Sequence, residues 1–411
     1  MFEEMKATEK KAGMKPKNLR YDNYMAVSDL FRQYGQLTMR DITDRISLSR
    51  TSVGKIVNCM IENEDIKLLG KGTSTESGGK RPDIYVLNSQ KIYTIGIAFW
   101  DMGCEGRMYD LKYNLIHSIF WQTEKAMTDD EVIECMAKMV HRLLDESGTE
   151  EKKLYMISLQ SAGLINEDGV LVQPVKYSGF SDGFQVVSRM KERLDLDVEI
   201  YYDNVSRFSA YYELLNHPER KNREIMVVTS DGIRAGGAVI INGEFFRGFE
   251  NMAGEFGHVP VSYDGKVKCD CGNFGCFEAM ISEKHLRQRM CEMAEECPAS
   301  ELTDDFSYTR MFDLADQGDA LAKALLDEMI RYLQILLGNA KYYLNPAEII
   351  LQGIFAYPCD YMRRKINEDM RAGSFRSNCE ITYSDIDYTA SSFTGAALFC
   401  FNRYFSQPYK K

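Results

Sequence analysis

From about Leu19 the apolar positions Leu19, Met25, Val27, Leu30 and Phe31 share a broad helical face, and Gly35 supplies a stop. Thr38 followed three residues on by Asp41 is a capping-box pattern. Ile42 and Ile46 then recur at helical spacing, so a short second helix is predicted to end near Ser47. Ser49 stands where it can cap a third helix. In that helix Val53, Ile56, Val57, Met60 and Ile61 form an i, i+3, i+4, i+7, i+8 stripe. One apolar run (Ile66, Leu68, Leu69) and a second (Ile84, Val86, Leu87) flank the segment GKGTSTESGGKRP and predict a hairpin with a long tip. Residues 1–17 are polar, Lys-rich and without period, which predicts a flexible arm ahead of a domain spanning 18–88.

Past Ser89 the period changes. KIYTIGIAFWD reads as a buried strand, and CEGRMYDL and NLIHSIFWQT as its neighbours. A helix is predicted from about Asp129 to Leu144, with Val132, Met136, Met139 and Val140 on one side. LYMISLQ, VEIYYD and EIMVVTS are later strands separated by helical stretches, and AGGAVIINGEFFRG turns back on itself at Asn242-Gly243. A long helix follows over about 319–344, then the strands EIILQG and ITYS, then a closing helix in FTGAALFCFNRYF. Strands alternating with helices predict an α/β body over 89–411.

Composition changes this picture in two ways. The chain of 411 residues has a net charge of -11, but residues 1–92 hold 16 Lys or Arg against 12 Asp or Glu, while the remainder holds 34 against 49. A basic head on an acidic body suggests one segment that approaches a polyanion. Eleven cysteines without a secretory leader or a long apolar run point to a reducing, cytoplasmic setting and exclude a membrane span as a working expectation.

The densest chemistry lies in AGEFGHVPVSYDGKVKCDCGNFGCFE, residues 253–278. His258, Cys269, Cys271 and Cys276 make a closed tetrahedral set for a structural Zn2+. Gly272 and Gly275 allow the tight turns that bring three sulfurs to one ion. Glu255 and Glu278 flank the knot. G-E-x-G-H followed by C-x-C-G-x-x-G-C-x-E resembles the signature of the ROK family of repressors, open reading frames and sugar kinases. NPxEIIxxG and the Thr394-Gly395-Ala396 step are similar to that family's C-terminal lobe. The resemblance implies a two-lobed, actin-like (ribonuclease H-like) ROK domain with a sugar pocket beside the metal. It further implies that Asn204, Glu255, His258 and Glu278 contact an effector.

The head then takes on meaning. Three helices and a basic hairpin resemble a winged helix-turn-helix, the layout of the family's repressor branch. The third helix would offer Arg50, Thr51, Ser52 and Lys55 to base edges of a double-stranded DNA operator, and Lys80 and Arg81 at the wing would follow the phosphates or enter the minor groove.

A sugar kinase of this family needs a phosphate loop and a general base. The family's Asp-x-Gly-Gly-Thr is replaced by Ala98-Phe99-Trp100-Asp101-Met102, and bulky side chains there keep backbone from approaching phosphate. The base of the family's Asn-Asp step falls on Val205, which cannot take a proton. In DGIRAGG, Arg234 stands where the family usually has glycine. A family Pro-Asn-Leu step, whose Asn touches sugar, is replaced by Pro174-Val175-Lys176, so Val175 loses a contact and Lys176 offers charge to a phosphorylated sugar.

The expectation is therefore a non-enzymatic regulator, a repressor, that senses a sugar or sugar derivative and acts as a homodimer or homotetramer. The alternatives are an active sugar kinase and a repressor switched by a protein partner.

Overall fold

A computed structural model describes residues 16–72, 81–173, 180–303, 305–371, 378–386 and 388–406. Helix α1 (Pro16–Tyr34) starts two residues inside the expected arm and stops at Gly35, whose φ of 76° is open to glycine. Helix α2 (Met39–Arg45) opens on the expected capping box. Thr38 Oγ1 accepts from Asp41 N at 3.2 Å, and Asp41 Oδ2 accepts from Thr38 N at 2.9 Å. Helix α3 (Arg50–Glu62) opens on Ser49, whose Oγ accepts from Ser52 N at 3.1 Å.

Val53, Ile56, Val57 and Met60 are buried, but Ile61 is 40% exposed. Eight residues at about 100° each carry Ile61 some 80° round the helix from Val53, beyond the covered face. Strands Gln36–Thr38, Asp83–Leu87 and Ile66–Lys71 lie antiparallel in that order beneath the three helices.

The body carries two five-stranded sheets of one topology. In the first, a meander of Tyr93–Trp100, Gly103–Asp110 and Leu115–Gln122 is extended on its inner edge by the parallel strands Leu154–Ser161 and Glu199–Asn204. In the second, a meander of Glu224–Ser230, Ala235–Ile241 and Glu244–Phe245 is extended in the same way by Glu348–Gly353 and Glu380–Tyr383. The same order laid down twice is the two-lobed ribonuclease H-like plan. Its second meander turns at Asn242 and Gly243 with φ of 53° and 76°, as the Asn-Gly step predicts.

The helix Tyr388–Ser406 joins all parts. Gly395 lets it cross helix Val205–Asn216 at backbone distance: a Cβ there would lie 1.8 Å from the Phe208 carbonyl oxygen. Beyond the crossing, Phe401 and Phe405 leave the body and enter the head's core beside Tyr24, Phe31, Val57 and Met60. Head and body therefore share one apolar core, which the 88/89 boundary read from the change of period did not foresee. Buried polar groups reinforce the seam. Asp65 accepts from Tyr24 Oη, from Lys91 Nζ at 2.8 Å and from Tyr404 Oη at 2.6 Å. Arg32 donates to Asp29 and Tyr113, and Asp29 also takes Lys221 Nζ at 2.5 Å from the second lobe.

Candidate effector and metal site

The loop after the second meander returns on itself through two glycines. Gly272 and Gly275 have φ of 94° and 68°, and a Cβ on Gly275 would lie 1.9 Å from the Ser262 carbonyl oxygen. Pro260 bridges Cys276, and Val261 N donates to Gly275 O at 2.8 Å. These contacts bring one ligand atom from each of His258, Cys269, Cys271 and Cys276 within 4.8 Å of one another, a group that could hold a metal ion. His258 Nδ1 lies 3.6 Å from Cys269 Sγ, and Cys271 Sγ lies 3.7 Å from Cys276 Sγ. His258 Nδ1 thus turns toward the sulfurs.

Beside this cluster is a cavity of about 260 Å³. The first lobe lines it with Gly163, Gln173, Asn204 and Val205, and the second with Asp231, Arg234, Glu255, His258, Asp270 and Glu278. All four effector residues expected from the sequence therefore meet at one cavity. Their freedom differs. Glu278 Oε2 accepts from Ala235 N at 2.9 Å. Glu255 lies 3.9 Å from the Arg207 guanidinium, and burial raises its carboxyl above the usual range against the pull of that arginine. Asn204 is more committed. Its Oδ1 caps helix Val205–Asn216 by accepting from Ser206 N at 2.8 Å, and its Nδ2 donates to Gly163 O at 2.9 Å. One amide hydrogen remains for a ligand.

Asp203, the carboxylate two residues before Val205, does not face the cavity. It is 1% exposed, accepts from Arg207 at 2.8 Å and Arg247 at 2.7 Å, and does not line the cavity. Burial opposes its charge, yet the two guanidiniums hold its carboxyl below the ordinary value. Val205, expected from the resemblance at the base position, opens the helix at the cavity wall. The strand expected to end in a phosphate loop carries Phe99 into an aromatic cluster, its ring centroid 5.0 Å from Phe180 and 5.6 Å from Tyr202. Val175 and Lys176 lie outside the described residues.

Two participants escaped the sequence reading. Arg207, 3% exposed, ties Asp203 to the carbonyl of Asn251 and lies 3.9 Å from Glu255, behind the cavity wall. Its i+4 spacing from Asp203 was the available signal. Asp231 closes the cavity from the turn between the first two strands of the second lobe; only the fold brings it near Glu278.

On the head, Arg50, Thr51 and Lys55 project from the first turns of α3 and are exposed. Ser52 is half-buried with its hydroxyl 2.9 Å from that of Ser49, so it serves the helix cap first. Arg81 is exposed at the base of the hairpin, and Lys80 lies outside the described residues. No helix among the described residues is long and apolar enough to cross a membrane.

Comparison with known proteins agrees with this anatomy. The DNA-binding transcriptional dual regulator NagC of Escherichia coli is 23% identical over 373 residues, 90% of each chain. The xylose repressor of Bacillus subtilis is 27% identical over 318 residues, 76% of each chain. A solved ROK family transcriptional regulator, a homologue of the E. coli MLC protein, shares the fold with a TM-score of 0.75 at 19% identity, over 94% of this chain and 97% of that one. The ROK family's own sequence pattern matches residues 115–401, which takes in the first lobe from its third strand onward, the whole second lobe, the Cys-rich loop and most of the C-terminal helix. This chain belongs to the ROK family.

Proposed function

We propose that this protein is a DNA-binding transcriptional repressor whose ROK body binds a sugar and a structural zinc ion and does not phosphorylate the sugar. The observation that carries the reading is the helix Tyr388–Ser406. One stretch of it crosses the helix that Asn204 caps at the cavity, and its end is part of the head's core. A ligand that shifts the cavity helix has a rigid route to the head. For the switch to work, the sugar must bind the two arrangements with different affinity.

The named relatives are regulators, and the residue chemistry points the same way. The carboxylates that grip hydroxyls are kept, while the phosphate loop and base are replaced by Phe99, Trp100 and Val205. The described lining holds Asp231, Glu255, Asp270 and Glu278 against Arg234 and His258, which favours an uncharged polyol over a sugar phosphate. Zinc fits the thiol-rich cluster. Bonds of about 2.3 Å to sulfur and about 2.0–2.1 Å to nitrogen give a tetrahedron with edges of roughly 3.5–3.8 Å. The His258–Cys269 and Cys271–Cys276 separations of 3.6 and 3.7 Å match those edges. Bound there, the ion would hold His258 and the start of the Glu278 helix against the cavity.

Two heads in a homodimer would read a pseudo-palindrome, each laying Arg50, Thr51 and Lys55 in the major groove with Arg81 beside the backbone. The test is a gel shift with DNA from upstream of the protein's own gene, repeated over a panel of neutral sugars. A specific shift released by one sugar is the expected result; ATP consumption with any sugar would overturn the non-catalytic reading. Arg50→Ala is expected to lose about 1–3 kcal/mol of operator affinity and relax one base position. Lys55→Ala is expected to lower the salt slope by about 1 without changing the melting temperature, since the side chain is exposed. Val205→Asp restores a carboxylate but no phosphate cradle, so no ATP turnover is expected from it in a coupled assay.

A further inference from the structure

Cys104 and Cys135 bring their sulfurs to 2.9 Å of one another, with Cys104 wholly buried and Cys135 half-exposed. Cys104 lies on the second strand of the first lobe's meander, and Cys135 on helix Asp129–Ser147, which packs across that sheet. Neither residue belongs to the metal cluster or the cavity. Both sulfurs are already near bonding position: a disulfide needs about 2.0 Å, so each side chain has under an ångström to move.

From this geometry we infer that Cys104 and Cys135 form a reversible disulfide, a redox modification site in the first lobe that uses a hydroperoxide as oxidant. Cys135 is the attacking sulfur. It is the accessible one, the hydrogen bond with Cys104 holds its thiol below the usual range, and Lys138 one turn on adds to this. Its thiolate attacks a peroxide oxygen; the S–O bond forms, the O–O bond breaks, and the leaving hydroxide or alkoxide takes a proton from water. Cys104 then attacks the Cys135 sulfur; the S–S bond forms, the S–O bond breaks, and the departing hydroxide leaves as water with the Cys104 proton. The two-electron oxidation of the thiol pair is balanced by reduction of one peroxide. In a reducing compartment a thiol pair of this kind is a transient sensor rather than a permanent staple. Once formed, the bond ties a strand to its covering helix and stiffens the lobe that carries Gly163 and Asn204.

The full-length protein, reduced and then treated with hydrogen peroxide, is blocked with iodoacetamide and mapped by peptide mass spectrometry. A linked peptide joining Cys104 to Cys135, lost on treatment with dithiothreitol, is expected. The oxidised protein should also melt several degrees higher than the reduced one. That shift should be absent in Cys135→Ser and in Cys104→Ser. Recovery of both cysteines as separate carbamidomethyl peptides after peroxide has consumed other thiols would overturn the proposal. So would Cys135 linked to a different cysteine. Mapping by peptide keeps oxidation of Cys269, Cys271 and Cys276 from being mistaken for this bond.

Discussion

With zinc at the proposed site, Cys271→Ser is expected to lose the metal and on the order of 10 kcal/mol of the second lobe's stability. The loop has no regular helix or strand to hold it. Between Val261 and Gly275 the backbone is mostly turn, crossed by bridges at Pro260–Cys276 and Lys268–Phe274 and by a few backbone hydrogen bonds such as Gly275 N to Val267 O at 2.8 Å. Cys271 is the most informative of the three thiols because it is only half-buried, whereas Cys276 is fully buried and Cys269 nearly so. Its replacement removes a ligand while disturbing little packing. Metal analysis of protein purified without added zinc should give one zinc per chain for the unaltered protein and far less for the variant. Thermal unfolding should fall by more than 10 °C, and a chelator should do to the unaltered protein what the substitution does. Sugar binding should go with it, because His258 and Glu278 are placed by the same knot. An unaltered zinc content, or an unchanged melting temperature despite zinc loss, would sink the structural role.

The second large effect is expected at the seam between head and body. Asp65 is wholly buried and accepts from Tyr24 of α1, Lys91 of the connecting segment and Tyr404 of the C-terminal helix. Asp65→Ala removes the acceptor that these three donors share, and breaking a buried charged pair from one side costs about 3–5 kcal/mol. The loss is concentrated where three parts of the chain meet, so its signature is specific. Limited proteolysis should cut near residues 88–92 and release the head, and thermal unfolding should split into two transitions. Operator binding by the head should weaken less than its response to sugar, because the contact residues of α3 are untouched and the route from the cavity is cut. Asp65→Asn keeps one acceptor and is expected to fall between the two. A single, unshifted unfolding transition in Asp65→Ala would show that the apolar seam of Phe401 and Phe405 holds the head by itself.

The same seam explains why the domain boundary was harder to read than the domains. The head's own signals are local: the Thr38–Asp41 capping box, the Ser49 cap and the Gly35 stop each involve residues within a few positions of one another. Periodicity reports such elements faithfully, because the helix that forms and the face that it buries are written in adjacent residues. It erred at Ile61, where the stripe continues onto a residue left 40% exposed.

By itself the sequence determined the order and type of the main elements, the Asn242-Gly243 turn and the Cys-rich knot, whose His258, Cys269, Cys271 and Cys276 fall within 258–276 and need only two permissive glycines to converge. Compositional asymmetry separated a basic head from an acidic body. Side-chain identity alone put Phe99 and Trp100 where the resemblance expects a phosphate loop, and Val205 where it expects a base. What the tertiary structure decided was every relation across long separations. Asp203 is sequestered by Arg207 and Arg247 instead of facing the cavity. Asn204 spends most of its amide on a helix cap and on Gly163. Cys104 meets Cys135, and Phe405 fills the head's core from the far end of the chain. Hydrophobic pattern tells that a face is buried and is silent about which face covers it; that partner is chosen by the global packing of all the elements together, and no local residue pattern records it.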